Sequence, residues 1–89
     1  MSHHVLIRHK VTDFGSWKTG FDAHKSKRAE AGLTHEQVLR SADDANEVVI
    51  LCEAQDLNRA KAFMNAPGLR EAMQAAGVAD KPDIYFLNG

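Results

Sequence analysis

Hydrophobic positions along this chain change their period several times. From His3 to Val11 they alternate: Val5, Ile7, His9 and Val11 share one side and Leu6 takes the other, which predicts a strand. From Phe14 the spacing becomes three and four. Phe14, Trp17, Phe21, His24, Arg28 and Ala31 form one stripe, which predicts a helix capped by Asp13 and running to about Ala31, before Gly32. Gly20 inside it costs roughly 1 kcal/mol relative to alanine, so the periodicity has to carry the prediction. "LTHEQVLRS", Leu33 to Ser41, reads as a half-buried strand, and the polar turn to Glu47 leads into "EVVILCEA", Glu47 to Ala54. Asp56 caps a second helix over "LNRAKAFMN", with Leu57, Ala60, Phe63 and Met64 on one face. Pro67 opens a further helical segment, "PGLREAMQAA", with Leu69, Met73 and Ala76 on one face, stopping at Gly77. "DIYFLN", Asp83 to Asn88, is the last strand; Pro82 is tolerated just before it.

This order, β-α-β-β-α-β, predicts an α+β, ferredoxin-like unit. It has a four-stranded antiparallel sheet, the first and third strands central, and both helical regions on one face. The third strand is nevertheless apolar on both faces: Val48, Ile50 and Cys52 point one way, Val49 and Leu51 the other. The first strand adds Val5, Ile7 and Val11 on one face and Leu6 on the other, and the last strand splits Ile84 and Phe86 from Tyr85 and Leu87. Strands buried on both faces lose polar alternation, and an exposed patch of that kind marks an interface. A homodimer with its sheets face to face is therefore expected.

Composition narrows the class. The 89 residues suffice for one domain, residues 1–89, and a domain this small is marginal without staples or a partner. Its single cysteine, Cys52, excludes an intrachain disulfide and suggests a reducing compartment. Near-neutral charge, −1, gives no electrostatic reason to bind nucleic acid or an anionic membrane. No apolar run approaches the roughly 20 residues of a membrane span, and the first ten residues lack a signal-peptide pattern. The expectation is a soluble, cytoplasmic protein.

"IRHKVTDFGSWKTGFDAHKSKRAEAGL" joined to "NEVVILCEAQDLNRAKAFMNAPGLREAMQAAGV" resembles the dimeric α+β barrel superfamily, most closely small bacterial proteins grouped with the antibiotic-biosynthesis monooxygenases and polyketide cyclases. The W-x-x-x-F-x-x-H helix and the "FMNAPGLREAM" segment carry the resemblance, which spans nearly the whole chain. It implies a ligand cavity in each subunit between helices and sheet, and an activity of the cofactor-independent monooxygenase or cyclase type on an aromatic or polyketide-like molecule. Catalytic residues differ among the branches, and no branch-specific signature is present. The Asn-Trp-His set of the haem-degrading branch is not evident, although Trp17 and His24 share a helix.

Candidate chemistry concentrates where polar side chains interrupt apolar faces. His24 reads either as an acid or base at the polar end of a pocket, or as a half-buried side chain where the stripe passes the sheet edge. Arg28 either holds an anionic oxygen or pairs with a carboxylate. His9, on a central strand, is either a second base close to His24 or a satisfied core histidine. Trp17, Phe21, Phe63 and Met73 are core residues or the wall of an apolar pocket, and Tyr85 is a further candidate to steady an oxyanion. His9, His24 and His35 lack metal-ligand spacing, so no metal or tightly held cofactor is expected. Cys52 has no basic activator and reads as an inert buried thiol. Lys25, Lys27 and Arg28 read as a solvated basic face. The rival functional class is a non-catalytic dimeric module whose pattern reflects packing alone.

Overall fold

The computed structural model describes residues 3–66, 68, 71, 75, 77–78 and 82–89. Four strands form one antiparallel sheet: β1 (His3–Lys10), β2 (Leu33–Arg40), β3 (Glu47–Ala54) and β4 (Asp83–Asn88). Their spatial order is β2-β3-β1-β4, so β1 and β3 are central as the pattern requires. Three helices are described: α1 (Phe14–Ala23), α2 (Lys25–Glu30) and α3 (Leu57–Met64). The architecture is the ferredoxin-like β-α-β-β-α-β unit, with the first helical region split in two.

Alternation decides which side of the sheet is covered. Val5, Ile7 and His9 on β1 are buried together with Val48, Ile50, Cys52 and Ala54 on β3. Trp17, Ala60 and Met64 join them from the helices, and Ile84, Phe86 and Phe63 pack against this core half-buried. The opposite side carries Leu6, Val49 and Leu51 in the central strands, with Leu39, Tyr85 and Leu87 40 to 53% exposed. Arg8 spans that side as an ion bridge, 3.0 Å from Glu47 and 3.5 Å from Asp83.

Local signals set the element ends. Asp13 has extended backbone, and its carboxylate accepts the Ser16 N–H at 2.9 Å; this bond holds the Asp13 carboxyl below its usual pKa. Asp56 caps α3 by accepting from Asn58 N–H at 2.8 Å. Gly32 ends the first helical region at φ +81, a conformation that costs an L residue its Cβ clearance. Gly68, Glu71 and Ala75 have helical backbone, within the segment expected to be helical; Leu69, Met73 and Ala76 lie outside the described residues.

Two departures from the regular pattern shape the site. The helix expected to run to Ala31 breaks at His24. There the His24 N–H bonds Phe21 O instead of continuing the i−4 ladder, and the His24 ring donates Nδ1–H to Gly20 O at 3.2 Å. The second departure lies in β2. Leu33 pairs with Ala54 and Thr34 with Glu53, but the next pair is Gln37 with Leu51. His35 and Glu36 together oppose Cys52, and His35 adopts φ +51. This is a β-bulge, with one extra residue on one strand.

Candidate functional site

The centre of the covered face is built by β1 and α1. His9 lies near the end of the central strand β1, opposite Val48 of β3, and is 1% exposed because the β1 alternation puts it in phase with Val5 and Ile7. Trp17 comes down from α1, 3% exposed, one turn after Phe14 and one turn before Phe21. Its ring meets the His9 ring nearly edge-on, with centroids 5.5 Å apart at 73°. Phe21 stacks on Trp17 at 4.9 Å and 26°, and Phe14 leans on it at 5.8 Å. These geometries suit the quadrupoles of aromatic rings.

Guanidinium groups close both ends of this row. Arg28 lies over the Phe21 ring, 3.6 Å from its centroid, and Arg40 lies over Phe14 at 3.9 Å. Arg40 reaches Phe14 because the shifted register sets it opposite Val48, on the covered face, and its Nε donates to Ala45 O at 2.9 Å. Arg28 is buried, where a solvated basic face was expected; Lys25 and Lys27 beside it are exposed. The cause is its partners. Its Nε pairs with the Glu36 carboxylate, and its Nη1 donates to Phe21 O at 2.6 Å. A buried cation is tolerable only with this degree of satisfaction.

Cys52 lies opposite the bulge and hydrogen-bonds Val5 O at 3.7 Å. Burial pushes its thiol up to about 11; the Glu36 carboxylate adds to the rise, and Arg28 opposes it. Little of it is thiolate at neutral pH.

The candidate residues therefore divide. His9, Trp17, Phe21 and Arg28 form one contiguous set. His24 is exposed on the surface at the helix break, where the stripe predicted a buried or half-buried position, and it is not brought to His9. Phe63 is half-buried against the core from α3. Tyr85 pairs in register with Leu6 and lies on the uncovered face, away from Trp17. His35 is exposed and meets Glu53 at 2.7 Å. Among the described residues, no three His, Cys, Asp or Glu side chains group to hold a metal ion, and no helix is long and apolar enough to cross a membrane.

Glu36 is the residue sequence reasoning missed. The sequence carries no decisive signal for it: Leu33 and Val38 prove to be inward though five residues apart, but a regular strand with Leu39 inward fits the same pattern. An odd spacing puts two residues on opposite faces unless the strand bulges between them.

No family model matches this sequence, and no curated protein matches it. Solved structures do. A proposed antibiotic biosynthesis monooxygenase from Bordetella bronchiseptica superposes with a TM-score of 0.81 at 11% identity, over 99% of this chain and 96% of that one. SnoaB, a cofactor-independent oxygenase from Streptomyces nogalater, gives 0.76 at 16% identity, over 99% and 92%. A proposed antibiotic biosynthesis monooxygenase from Caulobacter crescentus gives 0.73 at 21% identity, over 99% and 89%. The chain has the fold of the antibiotic biosynthesis monooxygenase-like proteins.

Proposed function

We propose that this chain is a cofactor-independent monooxygenase acting on a phenolic or polyketide-like aromatic molecule, with His9 as its base. The observation that supports this most directly is the buried imidazole of His9, set edge-on to Trp17 in a row of three aromatic rings. A flat ring matches the aromatic row, and imidazole is the side chain whose ordinary pKa suits proton transfer near neutrality. The likeness in fold to a cofactor-independent oxygenase adds the reaction class.

The chemistry balances without a bound cofactor. His9 takes a proton from an acidic C–H or phenol O–H of the substrate. The resulting carbanion gives one electron to dioxygen, and the two radicals combine into a C–O bond. The peroxide anion so formed takes the proton from the His9 imidazolium, and the hydroperoxide then loses water, so a methylene becomes a carbonyl while O2 supplies one oxygen to product and one to water. The protein's part is to hold the ring, move the proton and keep out bulk water.

The functional unit is a homodimer joined through the uncovered sheet face. Leu39, Tyr85 and Leu87 remain exposed there in one chain, beside Leu6 and Leu51. Light scattering at micromolar concentration should give twice the chain mass; a stable monomer refutes it.

The test of the activity is oxygen consumption with 1,8-dihydroxyanthrone as probe, corrected for autoxidation, with ¹⁸O2 labelling of the quinone product. His9→Asn should lower the rate by about 10²–10⁴, and His24→Ala should leave it within about twofold, as befits a surface side chain. A wild-type rate in the His9 variant excludes His9 as the base. No rate above autoxidation with any phenolic probe supports the non-catalytic module instead.

A further inference from the structure

We propose that Glu36 is a positioning residue of this site: acting through Arg28 and Phe21, it holds the Trp17 indole against the His9 imidazole. The proposal rests on the reading of His9 as the base, but its geometry stands apart from that reading.

The chain of contact is continuous. The Glu36 carboxylate takes the Nε–H of Arg28, and Phe21 O takes its Nη1–H, so two bonds fix the plane of the guanidinium. The guanidinium carbon, Cζ, lies 3.6 Å from the centroid of the Phe21 ring. Phe21 stacks on Trp17 at 4.9 Å, and Trp17 meets His9 at 5.5 Å. Both charged side chains are largely buried, at 10% and 15% exposure, so water cannot replace either as a partner without opening the layer.

Two irregularities of the fold converge on this contact. On an unbroken helix, Phe21 and Arg28 would stand about 10.5 Å apart along the axis. The break at His24 redirects α2 onto β2 and lets Arg28 fold back over Phe21. On an unbulged β2, Glu36 would pair with Leu51 and face away from the helices. The extra residue at His35, held at φ +51, turns Glu36 under Arg28. A left-handed conformation at a non-glycine residue is costly and persists where the surroundings enforce it, and bulges commonly re-aim one side chain. Here the re-aimed side chain is Glu36.

Two variants separate positioning from mere stability. Glu36→Gln keeps the shape and removes the charge. The double variant R28M/E36L replaces the pair by apolar side chains of similar volume, a change that buried ion pairs usually tolerate. Trp17 is the sole tryptophan, so its emission reports this ring alone. The NMR resonance of the His9 Cε1–H carries the Trp17 ring current and reports the pair. In variants with wild-type circular dichroism, the His9 resonance should move by more than its line width and the Trp17 emission should shift. kcat on the anthrone probe should fall about tenfold to a hundredfold with KM within about twofold, the signature of a misplaced reacting group. Unchanged His9 resonance and Trp17 emission in the folded double variant overturn the proposal. If instead these signals move while His9→Asn retains wild-type turnover, Glu36 positions the pair and the assignment of His9 as base fails.

Discussion

Raising the pH from 8 to 11 should destabilise the protein through Cys52 in a way that a cysteine-free variant does not share. The thiol ionises near 9 in an unfolded chain and near 11 in the fold, because burial disfavours the thiolate and the Glu36 carboxylate repels it. The native state therefore keeps its proton after the unfolded state has lost it. This stability is fully present below pH 9, declines as pH rises from 9, and is gone above about 11. Two decades of proton affinity correspond to about 3 kcal/mol. Other groups titrate in the same range, so the measurement is a difference. Urea unfolding of the wild type and Cys52→Ala is followed at each pH, and the gap between the two free energies is plotted. The gap should be flat from pH 7 to 8.5 and then change by about 2–3 kcal/mol against the wild type by pH 11. The same burial should make native Cys52 react with iodoacetamide about 100-fold more slowly at pH 8 than the unfolded chain. Two parallel stability curves, or rapid alkylation of native protein, would refute the account of a thiol sealed beneath the bulge.

Two further outcomes check the core and the loop that closes it. Trp17→Ala should cost about 3–5 kcal/mol, a large share of the roughly 5–13 kcal/mol expected for a domain of this size, read from urea unfolding by circular dichroism; a loss under about 1 kcal/mol would show that the indole is not packed between Phe14, Phe21 and His9. Gly77 stands at φ +88 with the position of an added Cβ only 2.7 Å from Thr12 Oγ1. Gly77→Ala should cost about 1–2 kcal/mol from backbone strain alone and more from the clash, and adding Thr12→Ala should recover only the clash, since it leaves the strain in place.

Much of this architecture is local, and local patterns were enough to read it. The strand Glu47–Ala54 and the strand Asp83–Asn88 have the bounds their alternation predicts. The caps at Asp13 and Asp56 and the stop at Gly32 follow from side-chain and backbone chemistry within three or four residues. The shared phase of His9 with Val5, Ile7 and Val11 follows from the alternation along β1. In each case the physical cause lies inside the window in which the pattern is visible.

The detail of the site is different in kind. Phe14, Trp17, Phe21, His24 and Arg28 fit one helical stripe equally well whether the helix continues or breaks, yet the break puts His24 in water and Arg28 in the core. On β2, Leu33 is in phase with Leu39 if the strand is regular and with Val38 if it bulges, so the sequence by itself leaves the direction of Glu36 open. The choice belongs to the pairing with β3, where Val38 opposite Ile50 completes the core and Leu39 opposite Val49 is left outside. The sequence determined the elements, their order and which residues of the central strands share a face, because those depend on periods of two and 3.6 residues; the structure decided that the face of Val5, Ile7 and His9 is the covered one. Only the tertiary structure decided that Arg28 turns inward, because a buried cation needs a carboxylate, and its carboxylate comes from another element through one extra residue in one strand.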